Sequence, residues 1–302
     1  MSTPNRAATL TKTHKVLKRS YKHTPLKGEQ PVMESLLFAC CLENARHDTA
    51  QQAFVNVQAA FFDWNEIRVS TVKELAEAMD NLPEPLEAGA RLKGVLQSVF
   101  ESDYSFDLEQ LKKQNIGAAV KRLQKLQGAT PFNVAYATQT ALGGHSIPVD
   151  TGTLGALFVL GVISEAEAKD AVVPGMERAI PKSKGQEFGA LLHELGADYF
   201  ANPFSQSLRD TLLSIASDAK ERFPKRASKK PPAPPAPPPA PVKTAADKKK
   251  DKAKEPAPKK IVVKVAEKRV SHERKVAAHP KKKPAGKAKK PPAKVLAKRK
   301  PR

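Results

Sequence analysis

One aspartate, Asp150, stands where a carboxylate can do chemistry. It lies near the end of the stretch from Leu126 to Thr151, LQGATPFNVAYATQTALGGHSIPVDT, in which a turn at Gly128 separates two helical patterns. A carboxylate can orient a water molecule or take a proton from it, and such a turn can present backbone amides to a phosphate. The same aspartate also fits the N-cap of the helix that follows it. The sequence leaves both roles open.

The spacing within this stretch resembles the helix-hairpin-helix and following aspartate of the endonuclease III-like DNA glycosylases, the HhH-GPD superfamily. The family hairpin reads roughly LPGVGxKTA, and an aspartate in a VDTH-like string lies eighteen positions after its lysine. Leu126 and Gly128 match the first hairpin positions, and residues 149–151 match the VDT. The position eighteen before Asp150 is Phe132, so the spacing is kept while the lysine is absent.

The missing lysine limits the chemistry that the resemblance implies. A bifunctional glycosylase uses the lysine amine to hold the sugar as a Schiff base, and Phe132 supplies no nucleophile. We therefore expect a monofunctional glycosylase, in which Asp150 stabilises the oxocarbenium-like sugar and activates water. The alternative is a noncatalytic DNA-binding or nucleoid-associated protein on a decayed glycosylase scaffold. Thr130, which replaces the second hairpin glycine, favours that alternative.

The resemblance implies DNA contacts at two places. Gly128, Ala129 and Thr130 form the hairpin turn that would approach a phosphate. Asn44 ends the pattern MESLLFACCLEN, which looks like the opening helix of the family. In the family a polar residue at this end helps to fill the gap left by a flipped base; a solvent-facing helix end is the other interpretation of Asn44.

Three residues are candidates for a pocket that receives an extruded base. Phe132 and Tyr136 are four apart on the second hairpin helix, so their rings can share one face. His145 precedes Asp150 by five residues and is a candidate for the same cleft. Core packing explains the aromatic pair equally well. The enzyme hypothesis requires the Asp150 carboxylate to face a cleft beside the Gly128 turn. A carboxylate sealed under packed side chains would exclude that hypothesis.

No cofactor or metal is expected. The iron–sulfur loop of the family needs four cysteine ligands, and no cysteine follows Cys41. Cys40 and Cys41 adjoin one another in an apolar run, where they are interpreted as small core residues. The seven histidines are scattered and show no paired metal-ligand spacing.

The charge divides the chain into three segments, since residues 1–30, 31–220 and 221–302 carry net charges of +6, −8 and +23. The first segment is predicted to be a flexible basic arm and the second a folded domain. The third is rich in Lys, Pro and Ala, resembles linker-histone tails in composition, and is predicted to be disordered. Such a tail would bind double-stranded DNA nonspecifically by counterion release. RNA binding has only this charge in its favour.

The folded segment predicts an all-α domain of about ten short helices, which the resemblance implies is two-lobed. Apolar residues recur at helical spacing, and no convincing period-two runs interrupt them. Thr71 with Glu74 and Ser164 with Glu167 form capping-box patterns. No apolar run is long enough to span a membrane. The expected protein is a monomer that is cytoplasmic and nucleoid-associated, or nuclear in a eukaryote.

Overall fold

The computed structural model describes residues 6–22, 25 and 28–225, and the regular structure of these residues is entirely helical. The α-helices, in chain order, are α1 (Arg6–Ser20), α2 (Val32–Leu42), α3 (His47–Ala60), α4 (Trp64–Val69), α5 (Val72–Ala78), α6 (Pro85–Asp103), α7 (Ile116–Leu123), α8 (Pro131–Thr140), α9 (Thr151–Val159), α10 (Glu165–Lys169), α11 (Met176–Ala179), α12 (Lys182–Ala201) and α13 (Gln206–Ile215). Two 3-10 segments complete the order, Glu109–Lys113 and Ser217–Arg222.

Local sequence signals set several helix starts. Both predicted capping boxes form: Thr71 and Glu74 open α5, and Ser164 and Glu167 open α10. In each box the hydroxyl accepts from the backbone N–H three residues on, while the glutamate accepts from the cap residue, so two otherwise unpaired amides are satisfied. The stretch FDLEQLKKQ forms only the short 3-10 segment Glu109–Lys113.

Two hydrophobic cores give the domain two lobes, as predicted. The first core is built chiefly from α2, α3, α5, α6 and α8 and includes Leu36, Leu92 and Phe132. The second is built from α1, α9, α12 and α13 and includes Leu157 and Phe188. Helices α9 and α12 form the tightest pair of the second lobe, and α2 packs on α6 and α8 in the first.

The prediction of a flexible arm over residues 1–30 is wrong for residues 6–20, which form α1. Leu10 and Leu17 are fully buried in the second core. They lie seven residues apart, on one face of the helix, and His14 between them meets the ring of Phe188 edge-on. Burying the two leucines contributes about 1.5–3 kcal/mol each towards the cost of ordering this segment. The sequence signal was weak since Leu10, Val16 and Leu17 are the only apolar side chains of this helix larger than alanine, and they stand among five cations.

The predicted Lys/Pro/Ala-rich tail lies outside the described residues from position 226 onward. Within the part of the chain that the structure describes, no helix is both long and apolar enough to cross a bilayer.

Candidate functional site

The hairpin turn between α7 and α8 is shaped by one glycine and one threonine. Gly128 has a φ of +81°, and a Cβ there would lie 2.6 Å from the carbonyl oxygen of Arg91 on α6. Both the left-handed backbone and the close approach therefore require glycine. Thr130 caps α8, because its hydroxyl accepts from the Asn133 N–H at 3.2 Å. The Ala129 N–H donates to the Leu126 carbonyl at 3.2 Å, so this amide is used inside the turn and not held ready for a phosphate.

Asp150 is the N-cap of α9, and its carboxylate is fully enclosed. Oδ1 accepts from the Thr153 N–H at 2.8 Å, and Oδ2 accepts from the Asn44 N–H at 3.1 Å. The side chain of Asp150 has 0% of its surface exposed. The capping role that the sequence offered is therefore confirmed. The carboxylate does not open into a cleft, so the expectation of a reachable Asp150 is wrong in this structure.

The residue that closes the site over Asp150 is His193 on α12. Its Nε2 lies 2.8 Å from the carbonyl oxygen of Ala45. A carbonyl only accepts, so Nε2 carries a proton. Its Nδ1 lies 3.1 Å from Oδ2 of Asp150, away from ideal hydrogen-bond alignment. A second proton on Nδ1 turns this contact into an attraction between an imidazolium and a carboxylate, whereas a lone pair there would repel the carboxylate.

The pKa values of both partners shift as an ion pair requires. Burial alone would raise the pKa of Asp150, but the hydrogen bond and the charge of His193 outweigh it and lower that pKa to about 2. Burial alone would lower the pKa of His193, but the contact with Asp150 and its charge raise that pKa above its ordinary value. Asp150 is therefore ionised at pH 7, and the raised pKa of His193 favours the imidazolium beside it.

Two glycines explain why α9 comes so close to α12. A Cβ on Gly152 would lie 2.2 Å from the carbonyl oxygen of Gly196, and a Cβ on Gly196 would lie 2.3 Å from Oγ1 of Thr153. Gly196 is three residues from His193 on α12, so both residues face the start of α9. The close approach of the two helices thus carries Asp150 against the imidazole. The family VDTH-like string has histidine where this chain has Gly152.

The hairpin and Asp150 meet at the C-terminal end of α2. The Thr130 hydroxyl donates to Oε2 of Glu43 at 2.8 Å, and the next residue, Asn44, donates its backbone N–H to Asp150. Burial, the largest influence, raises the pKa of Glu43 against the opposing charge of Arg91. The hairpin and Asp150 therefore lie close together, because each forms a hydrogen bond with a neighbouring residue at the end of α2.

Asn44 is not the solvent-facing helix end that the sequence offered as one interpretation. It is 6% exposed and adopts a left-handed φ of 63°. Its side-chain Nδ2 donates to Oε2 of Glu84 at 3.2 Å. The contact of Asn44 with DNA stays a prediction.

A cleft of about 490 Å³ opens between α8 and α12, bounded also by the start of α3 and the end of α1. Phe132 and Tyr136 line it, with ring centroids 6.3 Å apart in a stacked arrangement. Burial raises the pKa of the Tyr136 hydroxyl. Phe132 is also a member of the first core at 2% exposure, so the core interpretation is confirmed, while its contact with an extruded base stays a prediction. His193 forms part of the cleft wall and stands between this space and Asp150.

His145 does not line this cleft. Its Nε2 lies 2.8 Å from the carbonyl oxygen of Glu177 and 2.9 Å from that of Ile180. The ring therefore ties the loop before Asp150 to the segment before α12. Although His145 lies near Asp150 in the sequence, it is not part of the cleft wall.

The polar part of the cleft comes from residues that sequence analysis did not select. Arg46 contacts Oδ1 of Asp198 at 2.6 Å and Oε2 of Glu194 at 3.5 Å. The Tyr21 hydroxyl donates to Oδ2 of Asp198 at 2.8 Å. Arg46 thus joins the first lobe to α12, and Tyr21 joins the end of α1 to the same carboxylate. His193 and Glu194 belong to the string LLHELGADYF. The titratable residues of this string are the feature of the sequence that could have indicated them.

Within the described residues, no group of three or more His, Cys, Asp or Glu side chains is arranged to hold a metal ion. Cys40 and Cys41 are buried and unpaired with each other. Burial raises the pKa of the Cys40 thiol to about 12, so it is protonated at neutral pH and is not a nucleophile.

Comparison with known proteins gives one sequence relative and several structural ones. No protein-family model matches the chain. An Arabidopsis thaliana protein described as "Putative DNA glycosylase" is 20% identical over 168 residues, which cover 56% of this chain and 57% of that protein. The chain thus matches little more than half the length of this relative.

Two solved structures have similar helical arrangements. A thermostable thymine-DNA glycosylase has a TM-score of 0.46 and 14% identity, and the match covers 63% of this chain and 85% of that one. An endonuclease III trapped as a covalent intermediate with DNA has a TM-score of 0.48 and 13% identity, with 74% and 100% of the two chains covered. The sequence match to a protein described as a DNA glycosylase agrees with the resemblance that Gly128 and the VDT string indicated.

Proposed function

We propose that this protein binds DNA through a glycosylase-type scaffold and does not excise bases. The single observation that carries the proposal is the Asp150 carboxylate, whose side chain is 0% exposed and is paired with His193. A carboxylate that activates water or stabilises a sugar cation must come within contact distance of the reacting atoms. The groups that occupy both oxygens of Asp150 leave no such approach.

The surrounding substitutions support the same conclusion. Phe132 stands where the family has its lysine, and its ring lies 5.3 Å from the imidazole of His193 between centroids. The carboxylate that would stabilise an oxocarbenium-like sugar is instead in contact with the His193 ring, Nδ1 to Oδ2, at 3.1 Å. This arrangement therefore offers neither of the catalytic groups of the family, which are the lysine amine and an accessible carboxylate.

DNA binding is supported by features that do not depend on catalysis. The turn between α7 and α8 has Gly128 in a left-handed conformation, and Gly128 itself is exposed. The sequence after residue 220 carries a net charge of +23, which would release counterions from a duplex. The relative from Arabidopsis thaliana is described as a DNA glycosylase, a class of enzyme that acts on DNA. In this proposal the tail supplies affinity, and the helical domain supplies the geometry of the contact.

The decisive experiment incubates the full-length protein with duplexes that carry uracil, alkylated or oxidised bases, followed by alkali to reveal abasic sites. We expect duplex binding without strand breaks for any lesion. Breaks that appear with the wild type and disappear in Asp150→Asn would contradict the proposal. The wild-type result is sufficient to test it, so a folding defect in the variant would not obscure the outcome.

A second candidate function is the monofunctional glycosylase, and the cleft beside His193 favours it. Its volume of about 490 Å³ falls within the range of small-molecule pockets, and an aromatic pair lines one wall. Catalysis would require DNA binding to move His193 away from Asp150. Replacing the imidazole by a smaller side chain, as in His193→Ser, would then raise base excision. If His193→Ser stays folded by circular dichroism and excises no base, this candidate fails.

A further inference from the structure

A row of exposed positive charge lies along α1 and just beyond its end. Lys12, Lys15 and Arg19 recur at intervals of three and four residues, which places them on one face of the helix. Lys22 follows the end of the helix. All four are exposed, and among the described residues no acidic side chain forms an ion pair with any of them. We call these four residues the basic stripe.

The other cations of α1 include two that form ion pairs with residues of the second lobe. Arg6 contacts Oε1 of Glu167 at 2.9 Å, and Lys18 contacts Oε1 of Glu187 at 2.8 Å. Both pairs fasten α1 to the second lobe. The cations of the basic stripe have no such partner among the described residues. Their positive charge is therefore available to a ligand outside the chain.

The basic stripe is held in place by the fold. Leu10 and Leu17 anchor α1 in the second core with no exposed surface. Past the helix end, the Tyr21 hydroxyl donates to Asp198 on α12. Little conformational freedom of the backbone would therefore be lost on binding, an advantage over a free basic arm.

The basic stripe leads to the mouth of the cleft. Ser20, Tyr21 and Lys22 all form part of the cleft wall, which Phe132 and Tyr136 also line. A polyanion that followed α1 would consequently reach the space between α8 and α12. This continuity links the positive charge to the region that the superfamily resemblance already associates with DNA.

We propose that the basic stripe is a second DNA contact, which binds consecutive phosphates of one strand of a duplex; the proposal rests on the DNA-binding function proposed above. From Lys12 to Arg19 the helix advances about 10 Å, at 1.5 Å per residue. Phosphates of one strand follow at about 3.4 Å along the duplex axis, so three of them fit alongside. Residues 31–220 carry a net charge of −8, so the positive charge of the stripe offsets part of the repulsion between this domain and a duplex.

A membrane surface fits these residues less well. A helix that lies on a bilayer pairs its cations with exposed large apolar side chains. None of the exposed large apolar side chains of the described residues lies on α1. The apolar face of α1 is already buried in the second core.

The test measures the affinity of the full-length protein for an undamaged duplex over a series of salt concentrations. The stripe variant combines Lys12→Gln, Lys15→Gln and Arg19→Gln; glutamine has a similar helix propensity, so α1 is kept. Three lost phosphate contacts should reduce the slope of log K against log salt by about 2 to 3. Circular dichroism and the midpoint of thermal unfolding should stay close to those of the wild type.

A matched variant removes three cations elsewhere. Lys113, Arg178 and Lys220 are exposed and lie on other elements of the described domain. Their combined replacement by glutamine lowers the net charge equally and should reduce the slope by less than about 1, because distant charges release few counterions. Equal slopes for the two triple variants would overturn the stripe proposal.

Crosslinking to a duplex that contains a photoreactive thymidine separates the two proposals. Crosslinked peptides that include residues 12–22 support the basic stripe. Crosslinks confined to the sequence after residue 225 overturn the stripe while leaving DNA binding intact. Absence of any duplex binding by the wild type would instead overturn the proposed function, and the stripe with it.

Discussion

The Asp150–His193 pair and the basic stripe use charge in opposite ways. The pair is buried: the side chains of Asp150 and His193 are 0% and 4% exposed, and each makes further hydrogen-bonding contacts within the protein. The stripe has four exposed cations without an ion-pair partner among the described residues. One set of charges holds helices together, and the other is free to meet a ligand.

This difference shows that residue type does not define a functional site. Asp150 has the identity and spacing of a catalytic carboxylate, but it is enclosed and lies against His193. The cations of the basic stripe have no recognisable motif, but they are exposed and form no ion pair among the described residues. The buried pair and the basic stripe differ in solvent accessibility and in the number of hydrogen bonds that their charged groups can still form. Mutation can change either property.

The largest expected effect comes from breaking the buried pair. His193→Ala leaves the Asp150 carboxylate buried without its counter-ion and should lower the free energy of unfolding by about 3–5 kcal/mol. Urea denaturation followed by circular dichroism measures this loss. Lys184→Ala, at an exposed position of the same helix, should change stability by less than about 0.5 kcal/mol. A loss below about 1 kcal/mol in His193→Ala would argue against a buried ion pair.

The next effect tests whether α1 is part of the folded domain. Leu17→Ala removes a fully buried side chain from the second core and should cost about 2–5 kcal/mol. Lys15→Ala, on the exposed face of the same helix, is the control and should cost less than about 0.5 kcal/mol. If the two substitutions have equal effects in the same denaturation experiment, the first thirty residues would behave as the flexible arm that the sequence suggested.

The pair should also leave a signature in the pH dependence of stability. The raised pKa of His193 contributes stability that is complete below its ordinary value of 6.5 and is lost as the pH rises through the folded-state pKa. The lowered pKa of Asp150 contributes stability that is present above its ordinary value of 3.8 and is lost as the pH falls towards about 2. The contribution of the pair is therefore greatest between these two ordinary values.

Urea denaturation of the wild type and of His193→Gln between pH 5 and pH 10 measures this contribution. The advantage of the wild type should shrink with rising pH above 6.5, by no more than about 1.4 kcal/mol per pH unit for one proton. An advantage that stays constant over the whole range would mean that His193 does not change protonation on unfolding.

The smallest expected effect concerns the hairpin. Thr130→Ala removes the cap of α8 and the donor to Glu43, and should cost about 1 kcal/mol. Thr130→Ser keeps the hydroxyl and should recover most of that loss. If the serine variant is as unstable as the alanine variant, the hydroxyl does not stabilise the hairpin.

Local sequence patterns predicted most of the fold. The helical periodicity and the capping boxes depend on residues three or four positions apart, so a single sequence displays them directly. The N-cap role of Asp150 was likewise visible, because it needs only the backbone N–H of Thr153. The helix α1 was missed since its stability depends on burial of Leu10 and Leu17 in a core formed by residues far along the chain.

The candidate site could be predicted only in part. The sequence by itself determined which chemical groups exist: a carboxylate at Asp150, no lysine eighteen positions before it, and a strongly basic end of the chain. Only the tertiary structure decided that His193 lies against that carboxylate and that α1 presents a row of unpaired cations. These outcomes depend on long-range packing, because Gly152 and Gly196 let two helices meet and so decide which charges are enclosed.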